Sequence, residues 1–416
     1  MLSQQAIARA GKGATGPDAS DPRGQEEPHD DIVYPAAIPF ILVHVAALGV
    51  FWTGFTTTAV LLCIGLYLLR MWALTAGFHR YFSHRSYKTS RVFQFVLAFL
   101  GQSSAQRGVL WWSAIHRAHH RHSDTPEDPH SPAHHGFLMS HVGWIFRPSS
   151  NRADYDTIQD FAKYPELRLL DRFPHVPAAA LAVFTYLVAG LPGLFVGFFL
   201  STVILYHAVF AINSVAHVVG KRRYVTGDDS RNNWWLALVT LGEGWHNNHH
   251  HYQSSTRQGF FWWEVDISYY VLRCLSWVGI VWDLRAPPAA LLSGEQRLGR
   301  KVVEKVAEEL AHSFPLDRIT HEAREAWSNW SPGQDIQEGA SRARVRIGEA
   351  REQLAQQLHE IHLPSLPSLE ELKAKAESKY QETPSIDEIA ERAREILLEA
   401  VAHRLLEEPD PLGGPA

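Results

Sequence analysis

Histidines have the clearest potential for chemistry in this sequence, which contains 24 of them. Imidazole nitrogens bind iron, zinc, copper and nickel in proteins, so grouped histidines indicate a metal site without choosing the metal. Three short boxes are present: box 1 (His79 and His84, H-x4-H), box 2 (His116, His119 and His120, H-x2-H-H) and box 3 (His246, His249 and His250, H-x2-H-H). One H-x2-H-H motif is more often surface or core histidine, so the signal comes from the three boxes together.

Helical geometry predicts how the boxes present their side chains. Positions i, i+3 and i+4 share one face of a helix, so boxes 2 and 3 are each expected to turn three imidazoles toward a common locus. The i, i+5 spacing of box 1 does not lie on one face. We therefore expect His84 to lie beyond a distorted or ended last helical turn.

Two long apolar stretches position these boxes. Residues 32–78 carry one formal charge, Arg70, and residues 176–220 carry none. A membrane-spanning helix needs about 20 apolar residues, so each stretch is predicted to cross a bilayer and return. The turns are expected near residues 52–58 and 190–193. A buried soluble core is the alternative, and two such runs in one chain argue against it.

The distribution of positive charge predicts the orientation in the membrane. The loop 79–175 contains twelve Lys and Arg residues, whereas the two predicted turns contain none. Cytoplasmic loops are the positively charged ones, so this loop and both termini are expected in the cytoplasm. His79 then ends the second span and His217 ends the fourth. Boxes 2 and 3 also lie on this side, so nine histidines face one another.

Nine imidazoles exceed what one closed tetrahedral zinc needs, which is four ligands. Two metals with open positions fit the number better. Ligating histidines also need an acceptor for the second ring nitrogen, and four nearby carboxylates could serve or could be solvated loop charges: Asp124, Asp128, Glu243 and Asp266. Six further histidines are interpreted as surface residues or as neighbours of the ligands: His122, His130, His134, His135, His141 and His251.

The remaining composition sets limits on other functions. The net charge of −5 and the lack of a basic block argue against nucleic-acid binding. Cys63 and Cys274 are too few for a disulfide framework or a thiolate metal site. Arg70, inside the second span, is expected to snorkel or to form an internal ion pair, with a role near the active site as the alternative.

The chain is predicted to be an all-α membrane protein with three parts. The segment 291–416 is expected to be a charged helical extension, either solvated or docked on the membrane surface or on a partner. The parts are a disordered leader (1–31), a transmembrane region (32–290, with hairpins 32–78 and 176–220 and cytosolic regions 79–175 and 221–290) and the extension (291–416).

At these motifs the chain resembles the membrane acyl-CoA (stearoyl-CoA-type) fatty acid desaturases, in a style closer to the bacterial members. The resemblance covers about residues 35–285. It rests on HRYFSHRSYKTSR at 79–91, HRAHHRHSDTPEDPH at 116–130, NSVAH at 213–217 and GEGWHNNHHHY at 242–252.

The resemblance implies four transmembrane helices under a cytosolic helical cap that holds two iron ions. It implies the nine histidines as ligands and Asn213 as a residue that reaches one iron through a water. The implied reaction inserts a cis double bond, commonly at Δ9, into a saturated acyl chain, with O₂ as co-substrate. The protein would then lie in the bacterial inner membrane, among lipids, with its active site in the cytoplasm.

The sequence departs from the family at one place and leaves rivals open. Animal members carry an Arg-Asp pair before box 2 that helps to bind CoA, where this chain has Ala114 and Ile115. The resemblance implies acyl-CoA as the carrier, but this departure supports CoA less than it supports desaturation, so an acyl carrier protein and an intact lipid remain alternatives. A histidine-box hydroxylase and a non-enzymatic histidine-rich metal-binding membrane protein are the rival functions.

Electrons have to come from outside the chain. The sequence shows no dinucleotide-binding fingerprint and no haem or iron–sulfur pattern, since its G-x-G-x-x-G string at residues 11–16 lies in the predicted disordered leader and follows no strand pattern. A ferredoxin-, rubredoxin- or cytochrome b5-like donor with its reductase is therefore expected to dock near boxes 2 and 3.

Overall fold

Helices make up nearly all of the regular structure in the computed structural model, which describes residues 37–147, 153–329, 363–380 and 383–407. Within these ranges the only strands are β1 (Lys88–Thr89) and β2 (Val281–Trp282), which pair antiparallel. The expected all-helical class is confirmed. The predicted leader 1–31 lies outside the described residues.

The α-helices follow one another in chain order, with two π-helices at Ala73–Ser83 and Gly193–Leu200 and 3₁₀ turns at Gly143–Phe146 and Tyr155–Ile158. They are α1 Ile38–Ala47, α2 Val50–Thr53, α3 Thr57–Trp72, α4 Arg91–Gln102, α5 Val109–His122, α6 Pro132–His135, α7 Phe137–His141, α8 Gln159–Ala162, α9 Pro165–Arg172, α10 Val176–Pro192, α11 Ser201–Val218, α12 Trp234–Val239, α13 His246–His251, α14 Ile267–Trp277, α15 Ala289–Leu292, α16 Arg300–His312, α17 Leu316–Asn329, α18 Leu369–Lys379 and α19 Ile386–Glu407.

Within the described residues, two helical runs are long and apolar enough to cross a membrane, Thr57–Ser83 and Val176–Val218. Several of their large apolar side chains point outward, with Leu61 64% and Leu187 75% exposed. Continuous exposed apolar surface of this kind is rare on water-soluble monomers and marks a membrane or protein contact. A third apolar stretch, Ile38–Thr53, is shorter.

The second run breaks at the place where the sequence predicts a turn. Gly190 has φ +62, a conformation that favours glycine, and Ala189 is also non-helical. A Cβ placed on Gly193 would lie 2.1 Å from the carbonyl oxygen of Thr185, so the chain after the break lies directly against the chain before it. The 43-residue run is therefore two packed helical segments rather than one rod.

Arg70 joins the two apolar runs through hydroxyl groups. Its guanidinium is buried and donates to Thr202 Oγ1 at 2.7 Å, to Ser201 Oγ and to the Leu66 carbonyl at 3.1 Å. The expectation of snorkelling or an internal ion pair was therefore wrong. Two helix-borne hydroxyls satisfy the cation inside the bundle instead, which costs less than leaving it unpaired.

The π-helix Ala73–Ser83 is buried along its whole length and carries box 1. It packs against α4 and α5 in the main apolar core, where Phe78 and Leu97 are fully buried. Gly101 allows this contact, because a Cβ there would lie 2.4 Å from the Phe78 ring. The tight packing fixes the backbone from which His79 projects.

The C-terminal helices α16 to α19 form a second apolar core, here called the C-terminal bundle. Val306, Leu310, Leu372 and Val401 are buried in it. The described residues of the predicted helical extension 291–416 are largely helical, as in α16 and α19. Val225, from the region before box 3, is buried in the same core, so the bundle contacts the preceding part of the chain.

Candidate metal centre

All nine predicted histidines come together in two adjacent groups whose ring nitrogens lie within 4.8 Å of one another in each group. Cluster A takes its members from boxes 1, 2 and 3, and cluster B takes its members from boxes 2 and 3 and from α11. Cluster A is His79, His84, His116, His120 and His249, and cluster B is His119, His217, His246 and His250.

The structure corrects the expectation that each H-x2-H-H box serves one locus. In box 2, His116 and His120 belong to cluster A whereas His119 belongs to cluster B. In box 3, His249 belongs to cluster A, whereas His246 and His250 belong to cluster B. Neighbouring residues of an α-helix differ by about 100° in direction, so adjacent histidines diverge, and each box bridges two sites.

Box 1 confirms the expected departure from regular helix geometry. The backbone from Ala73 to Ser83 is a π-helix, and His84 is the residue that caps it. The amide of His84 donates to the His79 carbonyl at 3.2 Å, an i to i+5 hydrogen bond. The wider turn brings both side chains into cluster A.

Cluster A has more nitrogen contacts than hydrogen bonds can satisfy. His249 Nε2 lies 2.9 Å from His79 Nε2 and 3.0 Å from His120 Nε2, and His116 Nε2 lies 2.9 Å from both His84 Nε2 and His120 Nε2. Each Nε2 atom has either one proton or one lone pair. Five such atoms in a row cannot make four N–H···N hydrogen bonds, whereas one shared cation would satisfy all five lone pairs.

Cluster B also suits a metal ion, because carboxylates hold three of its four histidines. Nδ1 of His217 lies 2.7 Å from Asp124, Nδ1 of His119 lies 3.0 Å from Asp128, and Nδ1 of His250 lies 2.7 Å from Asp228. Each carboxylate holds the proton on Nδ1 and leaves the Nε2 lone pair free. Nε2 of His119 and of His250 is buried and has no hydrogen-bond partner among the described residues, as expected of a nitrogen that binds a metal.

Three of the four predicted carboxylate partners are confirmed, and one is corrected. Asp124, Asp128 and Glu243 contact histidines of the clusters, and Glu243 Oε2 lies 2.5 Å from His79 Nδ1. Asp266 instead accepts from Arg80 and from the Gln258 amide. Sequence reasoning missed Asp228, since it lies 22 positions before its partner His250 and only the fold joins them.

Arg80 is a buried cation that sequence reasoning also missed, although it lies within box 1. It donates to Glu243 Oε1 at 2.9 Å, to both oxygens of Asp266 at 2.9 and 3.0 Å, and to the Thr256 carbonyl. Burial would raise the pKa of Glu243, but His79 and Arg80 outweigh it and lower that pKa to about 2. The carboxylate is therefore ionised beside cluster A.

Electrostatics favour neutral imidazoles in most positions. Burial, followed by neighbouring imidazoles, holds five histidine pKa values well below the ordinary 6.5, those of His84, His116, His120, His246 and His249. Burial also lowers the pKa of His119, but the Asp128 carboxylate outweighs it and the net pKa is raised. Neutral imidazole is the ligating form, so the site suits a metal at neutral pH.

Asparagines fix the short helix that carries box 3. Asn247 Oδ1 accepts from the amides of Arg223 and Tyr224 at 2.7 and 2.8 Å. Asn248 accepts from Asn232 at 2.7 Å and donates to Glu264 at 2.8 Å. These are the two residues between His246 and His249, so the spacer of the box anchors α13 while the histidines face the clusters.

The six histidines predicted to lie outside the ligand set belong to neither cluster A nor cluster B. His130 is the nearest, forming a third group with His119 and Asp128. Asn213, predicted to act through a water, lies on α11 four residues before His217 and lines an apolar cavity.

An apolar cavity reaches the two clusters. His79 and His116 of cluster A and His119 and His246 of cluster B all line it. Its remaining walls are largely aromatic and aliphatic and extend along α11 away from the clusters, to Phe210, Val209 and Tyr206. A flexible apolar chain in this cavity would lie against both clusters.

Comparison with known proteins gives a consistent result. The fatty acid desaturase family model matches residues 55–273. An sn-1 stearoyl-lipid 9-desaturase of Anabaena variabilis is 36% identical over 253 residues, 59% of this chain and 91% of the relative. An acyl-CoA C20 Δ5-desaturase of Anemone leveillei is 35% identical over 229 residues, covering 54% and 73%.

Two chloroplastic relatives from Arabidopsis thaliana are longer than the region that they share with this chain. A probable lipid desaturase is 33% identical over 225 residues, which are 53% of this chain and 62% of the relative. A palmitoyl-monogalactosyldiacylglycerol Δ7 desaturase is 36% identical over 240 residues, which are 57% of this chain and 64% of the relative. Because the family match spans more than half of the sequence and contains all nine clustered histidines, the chain belongs to the fatty acid desaturase family.

Proposed function

We propose that this protein is an O₂-dependent fatty acyl desaturase that inserts a cis double bond, at Δ9, into a saturated acyl chain. The reaction converts –CH₂–CH₂– to –CH=CH– and reduces O₂ with two electrons and two protons from outside to two waters. The observation that carries the proposal is the apolar cavity lined by histidines of both clusters. A saturated methylene pair has no acidic proton, so acid–base catalysis alone cannot act on it.

The proposed cofactor is a pair of iron ions, one held by the five histidines of cluster A and one by the four of cluster B. Iron in these positions supplies the oxidising chemistry that protein side chains lack. In cluster B, His119, His217 and His250 would bind through Nε2, because Asp128, Asp124 and Asp228 hold the proton on their Nδ1 atoms. Asn213, on the cavity wall, is proposed to reach one iron through a water.

The side chains of the protein itself position the acyl chain and exclude water from it. The walls formed by Val209, Tyr206 and Phe210 hold the acyl chain in one register by apolar contact. The resulting distance between the carbon pair and the clusters selects the site of the double bond. Glu243 and Arg80 keep His79 fixed during turnover, since both are buried and paired.

The acyl carrier is proposed to be either CoA or a membrane lipid, since relatives of this chain are named for both. The structure gives one observation that favours a lipid. Ala114, in place of the arginine of animal members, is 1% exposed, and Ile115 lines the apolar cavity. Neither side chain can bind the phosphates of CoA.

The protein is proposed to be an integral membrane protein of the bacterial inner membrane. Four spans, a cytosolic cap and cytoplasmic termini would place both clusters on the cytoplasmic face. The two long apolar runs and the exposed apolar side chains on them support this arrangement. A ferredoxin-, rubredoxin- or cytochrome b5-like protein with its reductase would supply the electrons.

Expression in a host that lacks its own desaturase tests the proposal. The fatty acids of the host lipids are analysed by gas chromatography with localisation of the double bond. A cis-Δ9 alkene that disappears in the His249→Ala variant is expected. A hydroxylated fatty acid would support the hydroxylase instead. A purified protein that binds metal yet leaves acyl-CoA and acyl-lipid unchanged with O₂ and reductant would support the non-enzymatic alternative.

A further inference from the structure

The C-terminal bundle lies outside the part of the chain that the family model matches, which ends at residue 273. It nevertheless contacts the loops that surround cluster B. Two loops are involved, here called loop I (residues 123–128) and loop II (residues 224–230). Together they contain all three carboxylates that hold cluster B histidines, Asp124, Asp128 and Asp228.

The two loops form one hydrogen-bonded unit. Asp124 Oδ2 accepts from His217 Nδ1 and from the Asp229 amide, both at 2.7 Å, so one oxygen joins loop I, loop II and cluster B. The Asp124 amide donates to Asp128 at 3.1 Å. Asp228 accepts from Thr226 at 2.7 Å as well as from His250. A shift of either loop would therefore move several cluster B partners together.

The C-terminal bundle holds both loops. Lys305, on α16, donates through Nζ to the Ser123 carbonyl of loop I at 2.5 Å. Its aliphatic stem lies over Gly227 of loop II, where an added Cβ would be 3.4 Å from Lys305 Cδ. Val225 of loop II is 7% exposed because it packs in the apolar core of the bundle. One lysine and one valine thus tie the bundle to both loops.

No corresponding tie from the bundle is found at cluster A within the described residues. Its carboxylate, Glu243, is held by Arg80 in the transmembrane part of the chain. We propose that the C-terminal bundle is a positioning element for cluster B, which fixes loops I and II so that their carboxylates orient His119, His217 and His250 for metal binding. The inference rests on the two-metal assignment made above.

Cobalt binding to the full-length apoprotein tests this role without relying on activity. Co²⁺ is titrated into the purified protein and followed by its visible absorption. His84→Ala and His217→Ala identify the phases of clusters A and B. Lys305→Met keeps the aliphatic stem but removes the donor. It should raise the dissociation constant of the cluster B phase about tenfold, the lower end of the effect of removing a direct partner of a ligand. The cluster A phase should not change.

Two lysine variants provide the controls. Lys305→Arg retains a donor and should restore wild-type affinity, whereas Lys301→Met alters an exposed lysine one turn earlier on α16 and should have no effect. If Lys305→Met does not fold, Val225→Ala, which removes two methyl groups from the bundle contact, takes its place. Equal titrations for Lys305→Met and Lys301→Met, or equal weakening of both phases, would overturn the inference. A wild-type protein without two phases would instead refute the two-metal assignment itself.

Discussion

Replacing Glu243 with glutamine tests two roles of this carboxylate, the orientation of the metal ligand His79 and the stabilisation of the fold through Arg80. One carboxylate oxygen lies 2.5 Å from His79 Nδ1, and the other accepts from Arg80 at 2.9 and 3.1 Å. Glutamine has the same shape but one acceptor oxygen and one NH₂ group. The NH₂ group must face a donor on one side, so either His79 or Arg80 loses its partner.

The size of the effect follows from these contacts. Losing the partner of a ligating histidine costs about 10–100-fold in metal affinity, or about 1.4–2.8 kcal/mol at cluster A. Breaking a buried ion pair costs about 3–5 kcal/mol. Because Arg80 keeps Asp266 and the Thr256 carbonyl, we expect a loss near 3 kcal/mol in the free energy of unfolding.

Metal content by mass spectrometry after dialysis against a chelator, and thermal unfolding in detergent, measure the two effects. Asp266→Asn should lower stability to a similar degree but retain metal, since Asp266 contacts Arg80 and not a cluster histidine. A Glu243→Gln protein that matches the wild type in both metal retention and thermal unfolding would refute the pairing of Glu243 with His79 and Arg80.

Three further predictions follow from the same geometry. His119→Ala and His249→Ala should each abolish desaturation and remove metal from a different cluster while the protein stays in the membrane fraction; turnover in either variant would remove that residue from the ligand set. Val209→Phe, about 12 Å along α11 from His217, should shorten the preferred acyl chain, and an unchanged product profile by gas chromatography would contradict the cavity as the substrate site. The pKa of Glu243 is lowered to about 2 in the folded protein. The ionised carboxylate therefore stabilises the fold fully above pH 4.5, the ordinary pKa of glutamate, and this stabilisation is lost as the pH falls from 4.5 toward 2. Acid-unfolding curves that coincide for the wild type and Glu243→Gln would contradict this.

The sequence determined which residues gather at the metal centre. Spacing, hydropathy and charge placed box 1 and His217 at the ends of apolar helices, and the structure groups all nine histidines there. Local patterns carry such information because an apolar helix and its polar end are adjacent in the chain. The off-face spacing of box 1 likewise predicted the distorted turn that the π-helix provides.

The tertiary structure decided how those residues are divided and supported. Adjacent histidines on a helix point about 100° apart, and the sequence alone does not show which metal site each one faces. The division of boxes 2 and 3 between the two clusters therefore became visible only in the arrangement of the helices. Asp228 and Arg80 gained their roles from partners that are 22 and 163 residues away. The docking of the C-terminal bundle through Lys305 and Val225 likewise depends on contacts between distant segments, which no local pattern encodes.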